Sequence, residues 1–106
     1  MVITRAPVRI SFGGGGTDLA PYYTRFGGFV ISAAITRYAY VAAQRPATPR
    51  VRITSADYHV TETFAPGETP LVQDPLILPK AAVERFMERG LRRVGVDLFL
   101  SSDVPP

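Results

Sequence analysis

Apolar and β-branched residues alternate with polar ones at the start of the chain, so residues 2–5 and 8–12 read as two short strands. Pro7 stands between them and cannot donate to a ladder, which predicts an interruption there. Four consecutive glycines follow, Gly13, Gly14, Gly15 and Gly16, closed by Thr17 and Asp18. Asp18 is placed to cap a short helix over "LAPYYTRF", with Pro21 in its first turn and Gly27 and Gly28 ending it. The next stretch, "FVISAAITRYAYVAAQ", is rich in β-branched and aromatic residues and reads as one long strand or two joined ones.

"RVRITSADYHVTETF" has the pattern of a hairpin. Val51 and Ile53 alternate with arginines, Ser55, Ala56 and Asp57 supply the turn, and Tyr58, Val60, Glu62 and Phe64 share one face of the return strand. Residues 65–79 are rich in proline and form a surface connection. From Pro79, apolar residues recur at Val83, Phe86, Met87, Leu91 and Val94, an amphipathic helix of about four turns ended near Gly95. "VDLFLSS" is a final strand. The order predicts an α+β domain: a mostly antiparallel or mixed sheet with one long late helix and a short early one.

Composition narrows the chemistry. The 106 residues suit one domain, and hydrophobic residues at 46% are ordinary globular usage. With no cysteine, disulfides, thiolate metal sites and cysteine nucleophiles are excluded. Apolar runs are too short for a membrane helix and the amino terminus lacks a signal-peptide pattern, so a cytoplasmic protein without membrane partners is expected. The net charge of +3 raises the prospect of nucleic acid. However, Arg85, Arg89, Arg92 and Arg93 alternate with Glu84 and Glu88, the pattern of a solvated helix face, and no nucleic-acid partner is expected.

The glycine run is neither standard phosphate loop. No lysine follows a P-loop spacing, and Asp18 occupies the place of the third glycine in a dinucleotide fingerprint. Its flanks are more informative. Arg9 offers a planar fork of donors and Asp18 a two-oxygen acceptor, a pair suited to a polyol or sugar, with bare backbone between them. On the residues alone, a tight turn, a helix cap and a surface arginine explain the same pattern. His59, the single histidine, reads as an outward strand residue with no partners for a metal, and Ser101, Ser102 and Asp103 read as a strand end without a base.

"RAPVRISFGGGGTD", then "YY" and "GGFVISAAITRYAYV", resembles the amino terminus of the GHMP kinases, with the pattern closest to bacterial D-glycero-D-manno-heptose 7-phosphate kinases. The likeness runs over residues 2–41 and resumes at "LFLSSDVPP", while residues 46–95 match only in element order. The resemblance implies a ribosomal protein S5 domain 2-like fold. It also implies transfer of the γ-phosphoryl group of ATP, with Mg2+, to a hydroxyl of a small-molecule sugar or sugar phosphate. Arg9 would lie beside the transferred phosphoryl, and Gly13, Gly14, Gly15, Gly16, Thr17 and Asp18 would line the acceptor pocket with Tyr22 and Tyr23. Galactokinases carry Glu-His where this chain has Gly15 and Gly16, which points away from galactose and toward a larger or phosphorylated acceptor.

In such kinases "DVPP" leads into the ATP loop, so residues 1–106 are expected to be an amino-terminal fragment, incomplete at its carboxyl end. The ATP loop and carboxy-terminal domain would lie outside it. Alone it should be inactive and self-associate through the face left uncovered. The alternative is a small basic α+β domain that binds RNA or self-associates without catalysis.

Overall fold

The computed structural model describes residues 1–89 and 94–106. Five strands form one sheet in the order β1-β2-β5-β3-β4. They are β1 (Val2–Gly13), β2 (Ile31–Gln44), β3 (Arg50–Ser55), β4 (Val60–Phe64) and β5 (Gly95–Ser102). β1 pairs antiparallel with β2, β2 with β5, and β3 with β4, while β3 and β5 run parallel. Two helices accompany the sheet, α1 (Tyr22–Phe26) and α2 (Ile77–Met87), and residues Gly15–Asp18 make a single 3-10 turn. The expected α+β class with a mixed sheet is what forms.

Pro7 does not divide the first strand. β1 lies at the sheet edge, so the missing N–H of Pro7 costs little. The disturbance instead becomes a register shift: Pro7 opposes Tyr38, but Arg9 opposes Ala34. The long second strand forms unbroken. In the hairpin, Tyr58 and His59 belong to the turn rather than to the return strand, and His59 carries a positive φ of 52°. Val60, Glu62 and Phe64 alternate with exposed Thr61 and Thr63 as their spacing predicts.

The core sits between α2 and the β3, β4 and β5 part of the sheet. Val51, Ile53, Leu76, Val83 and Met87 are buried, with Val60, Phe64, Val96, Leu98 and Leu100 packed around them. α2 begins two residues before Pro79 and ends at Met87, earlier than the apolar spacing predicts. Phe86 points outward, 57% exposed. Leu91, Arg92 and Arg93 fall outside the described residues. Gly95 does not end the helix; it opens β5 at φ 73°, where a Cβ would stand 2.0 Å from the Arg50 carbonyl oxygen. Close passage of β5 beside β3 is therefore the reason for glycine at that position.

Lys80, the chain's only lysine, is fully buried on the core face of α2. Its Nζ reaches Asp74 at 2.5 Å and Glu62 at 2.7 Å, which ties α2 to the proline-rich connection and to β4. Burial alone pulls the ammonium pKa down, but the hydrogen bonds to Asp74 and Glu62 outweigh it and hold it above the ordinary lysine value. Asp74 is held below the usual carboxylate range, first by Lys80 and further by the N–H of Leu76, which donates to its Oδ1 at 2.7 Å.

Candidate functional site

β1 delivers the glycine run. Two irregularities bracket Arg9, Ile10 and Ser11: the shift after Pro7 and a second between Ser11 and Gly13. Bulges re-aim side chains and end pairing, and here they turn the chain out of the sheet into the loop. Gly14 takes the left-handed conformation, φ 85°, and the 3-10 turn follows.

Thr17 locks this loop. Its N–H donates to the Gly14 carbonyl at 2.9 Å, its hydroxyl lies 2.7 Å from the same oxygen, and its Oγ1 accepts the Phe29 N–H at 3.0 Å. The contact brings residues 13–18 against residues 27–29, and it is close. A Cβ on Gly14 would stand 1.9 Å from the Phe29 oxygen, and one on Gly28 would stand 2.7 Å from the Thr17 oxygen. Gly14 and Gly28 are therefore required by the fold, a use of glycine that the sequence reading did not separate from the rest of the run.

Asp18 is not a helix cap. It ends the 3-10 turn, and α1 begins at Tyr22 with Pro21 as its cap residue and no side-chain cap. Three residues, Leu19 to Pro21, separate the two, so the Asp18 carboxylate is not spent on helix amides. Gly27 closes α1 at φ 73°, its N–H donating to the Tyr23 carbonyl at 3.0 Å, as expected. Arg9 and Asp18 are both exposed, and among the described residues neither joins an ion pair. They do not neutralise each other. Tyr22 and Tyr23 are each 49% exposed, and the Tyr22 ring packs on Phe26 with centroids 5.2 Å apart.

The other charged residues are engaged structurally. Asp97 takes Arg50 at 2.9 Å and Arg52 at 3.0 Å across the parallel pair, and the Arg50 hydrogen bond holds its carboxyl below the usual range. Asp103 accepts the Tyr38 N–H at 2.9 Å, which fixes the chain after β5 and agrees with a strand-end reading. An apolar cavity of about 300 Å³ opens between α2 and β5, lined by residues such as Val41, Val83 and Leu98. It lies away from the glycine loop. Among the described residues no three His, Cys, Asp or Glu side chains gather as metal ligands.

A bulged edge strand, a glycine turn, a short helix and a mixed sheet covered by one longer helix make a fold shared with solved kinase structures, consistent with the S5 domain 2-like fold. A D-glycero-D-manno-heptose 1-phosphate kinase from Bacteroides thetaiotaomicron matches with TM-score 0.82 and 23% identity, over 100% of this chain and 35% of that one. A protein described as a sugar kinase from Campylobacter jejuni matches with TM-score 0.68 and 25% identity, over 97% and 33%. The Methanococcus jannaschii mevalonate kinase matches with TM-score 0.75 and 14% identity, over 98% and 33%. These structural neighbours are GHMP-family kinases, and the chain spans about a third of their length. No family model matches the chain, and no curated protein matches it.

Proposed function

We propose that residues 1–106 form the amino-terminal, acceptor-side part of an ATP-dependent sugar kinase, whose acceptor is a sugar phosphate such as D-glycero-D-manno-heptose 7-phosphate. The carrying observation is an exposed Arg9 in the bulged part of β1 and an exposed Asp18 at the end of the Thr17-locked glycine loop that follows, both free of ion pairs among the described residues. The fold shared with a heptose phosphate kinase supports the same reading. In it, the Asp18 carboxylate accepts hydrogen bonds from adjacent hydroxyls of the acceptor and sets its orientation. The Arg9 guanidinium faces the anionic oxygens of the transferred group, where a planar fork of donors stabilises spread negative charge. Tyr22 and Tyr23 border the acceptor.

The chain's own residues do not fit a nucleotide–magnesium site. The glycine loop carries no lysine at P-loop spacing, and no acidic cluster accompanies it among the described residues. ATP and Mg2+ therefore belong to the proposal only as the donor bound by the remainder of such a kinase, and residues 1–106 alone are inactive. The test is an assay of the complete gene product with ATP and Mg2+ against a panel of hexose, heptose and heptose phosphate acceptors. Phosphorylation of a heptose phosphate supports the reading, and no transfer to any sugar or sugar phosphate overturns it.

A further inference from the structure

α2 covers one face of the β3, β4 and β5 part of the sheet, and strand alternation puts a different set of side chains on the other face. Val41, Leu98 and Leu100 line the cavity beside α2, and Val51 and Ile53 are buried in the core. Their strand neighbours therefore point the opposite way: Tyr40 and Ala42 on β2, Phe99 on β5, Arg52 and Thr54 on β3. Ile3, Ala42, Phe99, Thr54 and Thr61 stand in one row across the five strands, and Arg5 opposes Tyr40 in the next. The Arg5 guanidinium lies 4.4 Å from the Tyr38 ring centroid, and the Tyr38 and Tyr40 rings are 6.2 Å apart. Phe99 is 49% exposed. Beside it a hollow of about 170 Å³ opens over the small Ala42 side chain, bordered by Gln44, Arg52 and Thr54. Asp97 is shared between Arg50 and Arg52, and Asp103 accepts the Tyr38 N–H. Arg5, Arg50 and Arg52 thus outnumber the two aspartates, and the face is cationic as well as aromatic. Arg85 and Arg89, interleaved with Glu84 and Glu88, lie in and just after α2 and are not part of it.

We propose that this sheet face binds single-stranded RNA. Bases stack on the Phe99 and Tyr40 rings and on the guanidinium plane of Arg5, which already rests on Tyr38. Every base has a π-face, so such a platform tolerates many sequences. The hollow over Ala42 admits a base edge against the Gln44 amide and the Thr54 hydroxyl. Arg5 and Arg52 meet phosphates, which supplies the charge complementarity. A purely apolar partner would instead bury these guanidinium groups without an anion. The Thr54 and Thr61 hydroxyls, 3.1 Å apart, offer donors and acceptors to 2′-hydroxyls, which favours RNA over DNA. This activity is separate from the sugar-kinase reading and uses neither Asp18 nor the glycine loop.

The experiment titrates the complete gene product into a fluorescently labelled, mixed-sequence RNA of about ten nucleotides and follows anisotropy, without ATP or sugar. The wild type is expected to bind with Kd of about 1–100 μM at physiological salt, and more tightly than it binds DNA of the same sequence. Phe99→Leu keeps an apolar side chain but removes the ring, and is expected to weaken binding by roughly five- to 150-fold. Phe99→Tyr keeps the ring and is expected to bind like wild type. Arg5→Gln should reduce the slope of log K against log salt by about 0.7, the loss of one phosphate contact on a single strand. This arm leaves the packing of the sheet untouched, and thermal unfolding of each variant reads the fold. No binding in that concentration range overturns the proposal, as does RNA binding no tighter than DNA binding. Equal affinities for Phe99→Leu and Phe99→Tyr, or an unchanged salt slope in Arg5→Gln, also overturn it.

Discussion

The residue Thr17 decides what the glycine loop can be. One hydroxyl holds both the Gly14 carbonyl and the Phe29 N–H, so the run of four glycines and the Gly27–Gly28 pair become one tight contact. The expected outcome for Gly14→Ala is loss of stability by roughly 1–3 kcal/mol from its positive φ alone, with the Phe29 clash adding to it. Chemical denaturation of the variant checks this, and an unchanged unfolding midpoint would contradict it. The sequence made the run visible and could not say which glycine served the backbone, because that depends on residues 28 and 29 across the loop. The same applies to Asp18: an acidic residue before "LAPYYTRF" looks like a cap, but the helix starts only at Tyr22 and leaves it exposed instead.

Elements were legible where periodicity was strong. β2, the β3–β4 hairpin and β5 follow from their alternation of β-branched and polar residues. α2 starts earlier than its apolar spacing predicts, for a physical reason. Its start is set by Asp74 and Lys80, two charged residues that an apolar periodicity does not count, although Lys80, Val83 and Met87 share a helical face. The ion cluster of buried Lys80 with half-buried Asp74 and Glu62 gives a signed pH dependence. Asp74 has a lowered folded pKa, so its contribution is present above its unfolded value and is lost as pH falls through the folded value. Lys80 has a raised folded pKa, so its contribution is complete below the unfolded value and is lost as pH rises through the folded one. Lys80→Met should therefore flatten both the acid and the alkaline limbs of urea-unfolding stability and cost more than substituting exposed Arg85. An unaltered pH profile in that variant would show that the triad does not anchor α2.

At the scale of the whole molecule, the chain is extended. Its accessible surface is 7695 Å², against about 5,800 Å² for a compact monomer of its mass. Its radius of gyration is 16.4 Å, against about 13 Å for a compact chain of this length. Part of the excess lies around the candidate site, where Phe12, Phe26 and Phe29 are each at least 70% exposed. The rest includes the apolar cavity beside α2. Isolated residues 1–106 should consequently self-associate at micromolar concentration, as light scattering would report, and a monodisperse species of 11.6 kDa would contradict that. This openness was not legible in composition, which is ordinary; it arises because β1 and β2 extend beyond the part of the sheet that α2 covers.

The central claim is that the glycine loop handles the acceptor and not the nucleotide. The most direct measurement is a pair of titrations on Asp18→Ala in the complete gene product: heptose 7-phosphate as acceptor, and ATP as donor. Loss of an oriented carboxylate that receives sugar hydroxyls should weaken the acceptor by about 1.5–3 kcal/mol, roughly ten- to a hundredfold, and leave ATP affinity unchanged. Weakened ATP binding with intact acceptor binding would contradict the account.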